Sequence, residues 1–435
     1  MTTTNTPYLP RRQRVRLSRP LLASRPLLAS RPLLASRPLL MAAVCGLLLS
    51  ACMSPTEPDT PRIRIAEPSR YFLRTFNISN IDYIETAYDV REVSSGGFIV
   101  VGSAWMQHNL SLDIFLLRTD AEGKQLWVNT FGGIKDEHGY SVSETADGGF
   151  IIGGSTYSFT NGQSDAWIVK TDESGTMQWS SHFGGTEQDE AYEVRERSSG
   201  GYIIVGYSDD PITGGRHLFL RRTDPLGTLD WHHQPAGSGE DYGAAVVETA
   251  DGGFVAVGKT KSLESGLAQI WLYKVNTAGD TLWNRRVGGS RAMEAVDLVQ
   301  AADGSFAIVG SSAQSQSREL LFVRTDASGD LQSVQSLQRD AIAQCIRVRP
   351  EGGFVVCGYT DPFGGDGSDM VLVRLDENGN NPQKNLIGGM HMDRAHAVTP
   401  TSDGGYILAG TTQSYGSGTP DVILVKTDAS GAYEE

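Results

Sequence analysis

The sequence predicts an all-β chain folded as a seven-bladed β-propeller of four-stranded antiparallel blades. Three observations predict it. A DGGF-type turn recurs with its second glycine at Gly97, Gly149, Gly201, Gly253, Gly353 and Gly405, and Ser305 fills the remaining slot. The intervals are 52, 52, 52, 52, 48 and 52 residues, so seven copies occupy residues 70–435. Each copy holds four apolar runs of strand length, each closed by turn residues.

The second copy shows the unit. Its strands are read as Gly139–Ala146, Gly149–Thr156, Asp165–Asp172 and Met177–Phe183, with an Asp147-Gly148 hairpin turn between the first two. Phe150 and Ile152 point to one face of the second strand and Ile151 to the other. A lone sheet cannot bury both faces; sheets stacked around a ring can. A glycine closes the second strand in every copy, at Gly102, Gly154, Gly206, Gly258, Gly310, Gly358 and Gly410. Such regularity predicts a close backbone approach or a bulge. The third strand carries a base throughout, at Arg118, Lys170, Arg222, Lys274, Arg324, Arg374 and Lys426. These are expected to lay their stems on the sheet and reach water or a nearby acid, rather than form an anion-binding ring.

The seventh copy stops after its third strand. An orphan strand, Tyr71–Phe76 (YFLRTF), precedes the first copy and matches Trp127–Phe131 (WVNTF). It is expected to complete the last blade beside Asp421–Asp428 and so cover an open sheet edge.

Residues 1–51 read as an export leader. They hold eight Arg and no acid, three SRPLLA repeats, and an apolar run from Pro38 to Leu49 that is too short to span a bilayer. The run ends Leu49-Ser50-Ala51-Cys52, which resembles the bacterial lipoprotein box. That resemblance implies acylation of Cys52, and Met53 in the following place implies the outer membrane. Residues 52–69 are Pro-rich and read as a tether. The full chain carries 37 Lys+Arg against 51 Asp+Glu, a net −14; without the leader it is near −22. That balance opposes nucleic acid and anionic headgroups, so membrane contact is expected only through the anchor.

The phrase D-x-x-G-x-x-x-W recurs at Asp120–Trp127, Asp172–Trp179 and Asp224–Trp231, with Asn276–Trp283 a close variant. It resembles the repeat of pyrroloquinoline-quinone-type propellers and of anonymous propellers in exported bacterial and archaeal proteins. The resemblance implies that the tryptophan docks between blades. Ser333, Gln383 and Glu435 fill its slot in the last three copies, which predicts looser packing around blades five to seven. Quinoprotein dehydrogenases differ in having eight blades and adjacent cysteines. The sialidase Asp-box differs in glycine spacing. The lipoprotein of the barrel-assembly machine resembles an eight-bladed form.

The long loops all emerge on one face, where propellers usually bind. Strand-entry acids recur there at Glu85, Glu137, Asp189, Asp241 and Asp393, with Glu294 and Asp340 one residue off register. Two readings stay open: a carboxylate ring at the channel mouth that meets a partner or cation, or caps on the acids' own loops. Asp361, Asp366 and Asp369 form an Asp/Gly-rich loop of calcium-like composition, although no cofactor is predicted. Cys345 and Cys357 flank a turn and are placed to face each other, either as a disulfide or as two buried apolar residues. No catalytic motif is found. The expected role is a monomeric, lipid-anchored envelope module binding a protein or glycan. The alternatives are a carbohydrate-active propeller enzyme and a structural part of an outer-membrane assembly complex.

Overall fold

The computed structural model describes residues 71–79, 83–160, 162–212, 214–235, 239–262, 266–314, 317–361 and 367–433. The leader, Cys52, the tether, Asp366 and Glu435 lie outside the described residues.

Seven four-stranded antiparallel sheets carry the chain, and among the described residues every regular element is a strand. Blade one runs Glu85–Glu92, Phe98–Met106, Ser111–Thr119 and Gln125–Phe131. Blades two to six repeat this order over residues 137–183, 189–233, 242–287, 292–339 and 341–387. Blade seven takes Asp393–Pro400, Tyr406–Thr412 and Asp421–Thr427, and its fourth strand is Phe72–Phe76 from the other end of the chain. The register pairs Phe72 with Lys426 and Phe76 with Val422, so the ring closes as expected.

The core lies between blades. Phe150 and Ile152 pack with Ile99, Val101 and Leu116 of blade one. Ile151 packs with Val194 and Ile204 of blade three. Each sheet therefore buries both faces only because it has two neighbours.

The first strand of every blade carries a bulge, for example between Gly139 and Ser141. The bulge drives a carbonyl over the glycine that closes the second strand. A β-carbon on Gly154 would lie 1.9 Å from the His138 oxygen, and one on Gly206 would lie 1.8 Å from the Glu190 oxygen. No side chain fits there without displacing backbone. Gly154→Ala is expected to lower stability by about 2–3 kcal/mol, read as a fall in the urea midpoint at unchanged slope.

Tryptophan docking occurs at the four positions the sequence indicated, and other side chains take over round the rest of the ring. The glycine of each D-x-x-G turn sits on an aromatic of the preceding blade: Gly175 on Trp127, Gly227 on Trp179, Gly279 on Trp231 and Gly329 on Trp283. The aspartate holds the turn by accepting two backbone N–H bonds, as Asp172 does from Ser174 and Thr176. Phe72 of the closing strand takes the seventh slot, covering Gly123 and packing 6.4 Å from Phe98. Phe322 covers Gly379 in place of Ser333, and Asn385 meets Gly431 in place of Gln383. Buried apolar clusters run continuously through blades five, six and seven, so the expected looseness there is replaced by packing with different residues.

Candidate functional site

Two faces result from this chain path. The Asp-Gly turns and the D-x-x-G turns lie on one. The longer connections, from second to third strand and from one blade to the next, lie on the other. The first strands line the central channel between them.

The five strand-entry acids sit at the long-loop face, where each begins or immediately precedes a first strand. All five are buried, at 0–4% exposure. Glu85 accepts from the backbone N–H groups of Ile78 and Ser79, at 2.8 Å each. Glu137 accepts from Gly133 N, Thr156 Oγ1 and Ser158 N. Asp189 accepts from Gly185 N, Asp241 from Lys261 N and Ser262 Oγ, and Asp393 from Gly389 N and Ser414 Oγ. This is the capping geometry. Side chains alternate along a strand, and these positions face the loops between blades instead of the bore. Burial raises the pKa of Glu85 and Asp189. Across the joint each meets a second acid: Asp421 beside Glu85 and Asp165 beside Asp189. Glu294 and Asp340 are not caps. Glu294 is half exposed and bonds Tyr242 Oη and Lys259 Nζ. Asp340 turns the chain at φ 50°.

The third-strand bases pair locally, most with the acid of their own turn: Lys170 with Asp147, Lys274 with Asp251, Arg324 with Asp303 and Lys426 with Asp403. The Lys274 ammonium, helped by the Thr249 hydroxyl, lowers the Asp251 carboxyl to about 2.

The bore shows what the repeat alone did not reveal. The bulged residues project there: Tyr88, Tyr140 and Tyr192 in blades one to three, then Ala244, Val296, Gln344 and His396. Tyr88 and Tyr140 meet edge-on at 5.6 Å, Tyr140 and Tyr192 lie 5.3 Å apart, and His396 lies 5.5 Å from Tyr88. They leave a cavity of about 90 Å³. Burial, then the Glu190 carboxylate, raises the phenols of Tyr192 and Tyr207. One residue along, Asp89, Ser141, Glu193 and Asp297 each accept a backbone N–H from the next first strand in the ring: Val142, Val194, Val246 and Ile346. Arg91, Arg195 and Arg347 pair with the three acids at 3.0, 2.6 and 2.5 Å. The acid–arginine layer therefore ties blades together. Its signal was present in the sequence as D-V-R, E-V-R and D-L-V spaced by the repeat.

His396 is partly buried in this plug, 3.4 Å from Gln344 Oε1, with Tyr88, Tyr359 and Arg394 around it. Burial, then the Arg394 charge, lowers its pKa to about 4. The folded imidazole stays neutral where the unfolded one takes a proton. Stability is therefore expected to be highest above pH 6.5 and to fall as the pH drops towards 4. His396→Gln should remove that slope from a series of urea midpoints.

Cys345 and Cys357 face each other in the register of blade six, as expected, but both are free thiols. The Cys345 thiol donates to the Val398 carbonyl of blade seven at 3.6 Å. Of the calcium-like loop, Asp369 lies beside Asp393, and Asp361 lies 3.8 Å from Arg318. Among the described residues no group of three or more His, Cys, Asp or Glu side chains is placed to hold a metal.

No known protein-family model matches the chain. The regulatory protein FlaEY of Caulobacter vibrioides is 26% identical over 131 residues, a match covering 27% of this chain and only 13% of that protein. Among solved structures, puromycin hydrolase aligns with a TM-score of 0.51 at 13% identity, over 77% of this chain and 51% of its own. YCF48 bound to D1 peptide aligns at 0.48 and 12% identity, over 84% and 97%. The Neurospora crassa Pan2 WD40 domain aligns at 0.47 and 9%, over 80% and 97%. At such identities the likeness is one of fold. The chain is a seven-bladed β-propeller, a fold compatible with a protein-binding scaffold.

Proposed function

We propose that this chain is a lipid-anchored module of the bacterial cell envelope, held through Cys52, that binds a protein or glycan on its long-loop face. The observation that carries the reading is where apolar side chains meet water. Ile212, Met390 and Ile134 are the most exposed large hydrophobics among the described residues, at 92%, 88% and 81%. All three lie in long loops, and Tyr83, Ile84, Leu110 and Phe159 on the same face add to them. Seven of the sixteen exposed large hydrophobics among the described residues lie in these loops, and the others are spread over strands and the opposite turns. Apolar side chains on the variable loops of a rigid ring suit a partner surface. The plugged bore and the internally satisfied acids direct attention to this surface. A photo-crosslinking amino acid placed at Ile134, Ile212 or Met390 in living cells tests the reading. It predicts one shared adduct from these positions and none from Leu126 or Leu282 on the outer strands. Adducts from the outer strands alone would sink it. Cys52→Ser is expected to move the protein from the membrane fraction to the soluble one.

A further inference from the structure

Blade five keeps a donor of the carboxylate cap and lacks the carboxylate. In blades two and seven a hydroxyl at the end of the second strand, Thr156 or Thr412, donates to the strand-entry acid. In blade five the hydroxyl is Ser312 and the acid's place is taken by Met293. Ser312 is fully buried, and its Oγ has no hydrogen-bond partner. The facing acid is lost as well. Asp113, Asp165, Asp369 and Asp421 stand at or near the start of third strands elsewhere, and Gln269 holds that place in blade four.

Cations have gathered where the two acids are missing. Lys259, Lys261 and Arg318 line a cleft of about 200 Å³ between blades four and five, walled by Ala268, Ala292 and Met293. Glu294 bonds Lys259 at 3.3 Å, Glu240 bonds Lys261, and Asp361 stands 3.8 Å from Arg318. Each base thus has an acid partner, but only Glu294 of the three acids lines the cleft, so the three cationic heads reach the space next to Ser312.

We infer that this cleft binds an oxyanion, carboxylate or phosphate, carried on a ligand with an apolar flank. The anion would take the place of the missing cap and accept the Ser312 hydroxyl, with Lys259, Lys261 and Arg318 around it and Met293 against the flank. An orphaned buried hydroxyl is costly until it is paired, and charge-assisted bonds are the strong ones. Methionine adapts its shape to such a ligand. The inference rests on the reading of the long-loop face as the binding surface, because the cleft opens there.

Methyl NMR on ¹³C-methionine protein reports it locally through Met293. Butyrate, butyl phosphate and inorganic phosphate are titrated in turn. A saturable Met293 shift that weakens with added salt is expected. The tighter of butyrate and butyl phosphate identifies the anion, and inorganic phosphate gauges the flank. Ser312→Ala and Lys259→Met should each weaken binding by about tenfold, the effect of one charge-assisted bond. Ser312→Ala removes a hydroxyl that satisfies nothing, so its fold should remain intact. No saturable shift, or shifts unchanged in both variants, would overturn the inference. If crosslinking to an envelope partner persists while the cleft binds no anion, only the cleft proposal fails. If the anion binds and no long-loop adduct forms, the cleft stands and the envelope reading fails.

Discussion

Phe72→Ala is expected to destabilise the propeller by about 3–5 kcal/mol, the usual range for losing a buried phenylalanine. Phe72 is 1% exposed and belongs to the cluster that joins blades one and seven. It covers Gly123 as tryptophans cover the matching glycines elsewhere. Its loss also loosens the five-residue strand that shields the edge of Asp421–Thr427. Phe72→Trp should be close to wild type, because Trp127, Trp179, Trp231 and Trp283 fill the same slot in blades one to four. Equilibrium urea unfolding of both variants decides. A Phe72→Ala loss below about 1 kcal/mol would mean that the closing strand does not hold the ring, since cavity costs this small are not seen for buried aromatics.

Glu137→Ala is expected to cost about 2–4 kcal/mol. The buried Thr156 hydroxyl and the half-buried Gly133 N–H lose their acceptor at about 1–3 kcal/mol each, while Ser158 N–H keeps Thr156 Oγ1. The donors are Gly133 N, Thr156 Oγ1 and Ser158 N. Glu137→Gln retains an acceptor oxygen and should lose less. Glu294→Ala, at the off-register and half-exposed position, should change stability within about 0.5 kcal/mol, as surface changes usually do. Thermal unfolding of the three proteins ranks them. If Glu137→Ala were as stable as Glu294→Ala, the acids would not be caps and a partner-facing ring would return.

The ring was legible because a period of 52 residues fixes blade number and turn chemistry together. The invariant Gly154-type position announced a close backbone approach, and YFLRTF announced the closing strand. Two things were hidden. Direction was one: a recurring acid at a strand entry does not say whether it faces the bore or the loops, and one residue of parity decides. The other was substitution across space. Phe322 fills the gap left by Ser333 from a different strand, and a linear slot-by-slot reading does not see it. The bore and the blade-five cleft share this difficulty, because their meaning lies in how copies differ at positions that strand pairing brings together.

Affinity capture decides whether the long-loop face of the propeller binds a partner. The acylated protein and an Ile134→Ser, Ile212→Ser, Met390→Ser triple variant are used as baits on detergent-solubilised envelopes. These three side chains are exposed, so the variant should melt as wild type does. A binding module predicts a stoichiometric partner or glycan retained by the wild type and lost by the variant. Equal capture by both baits, or none by either, would contradict the assignment of the long-loop face as the functional surface.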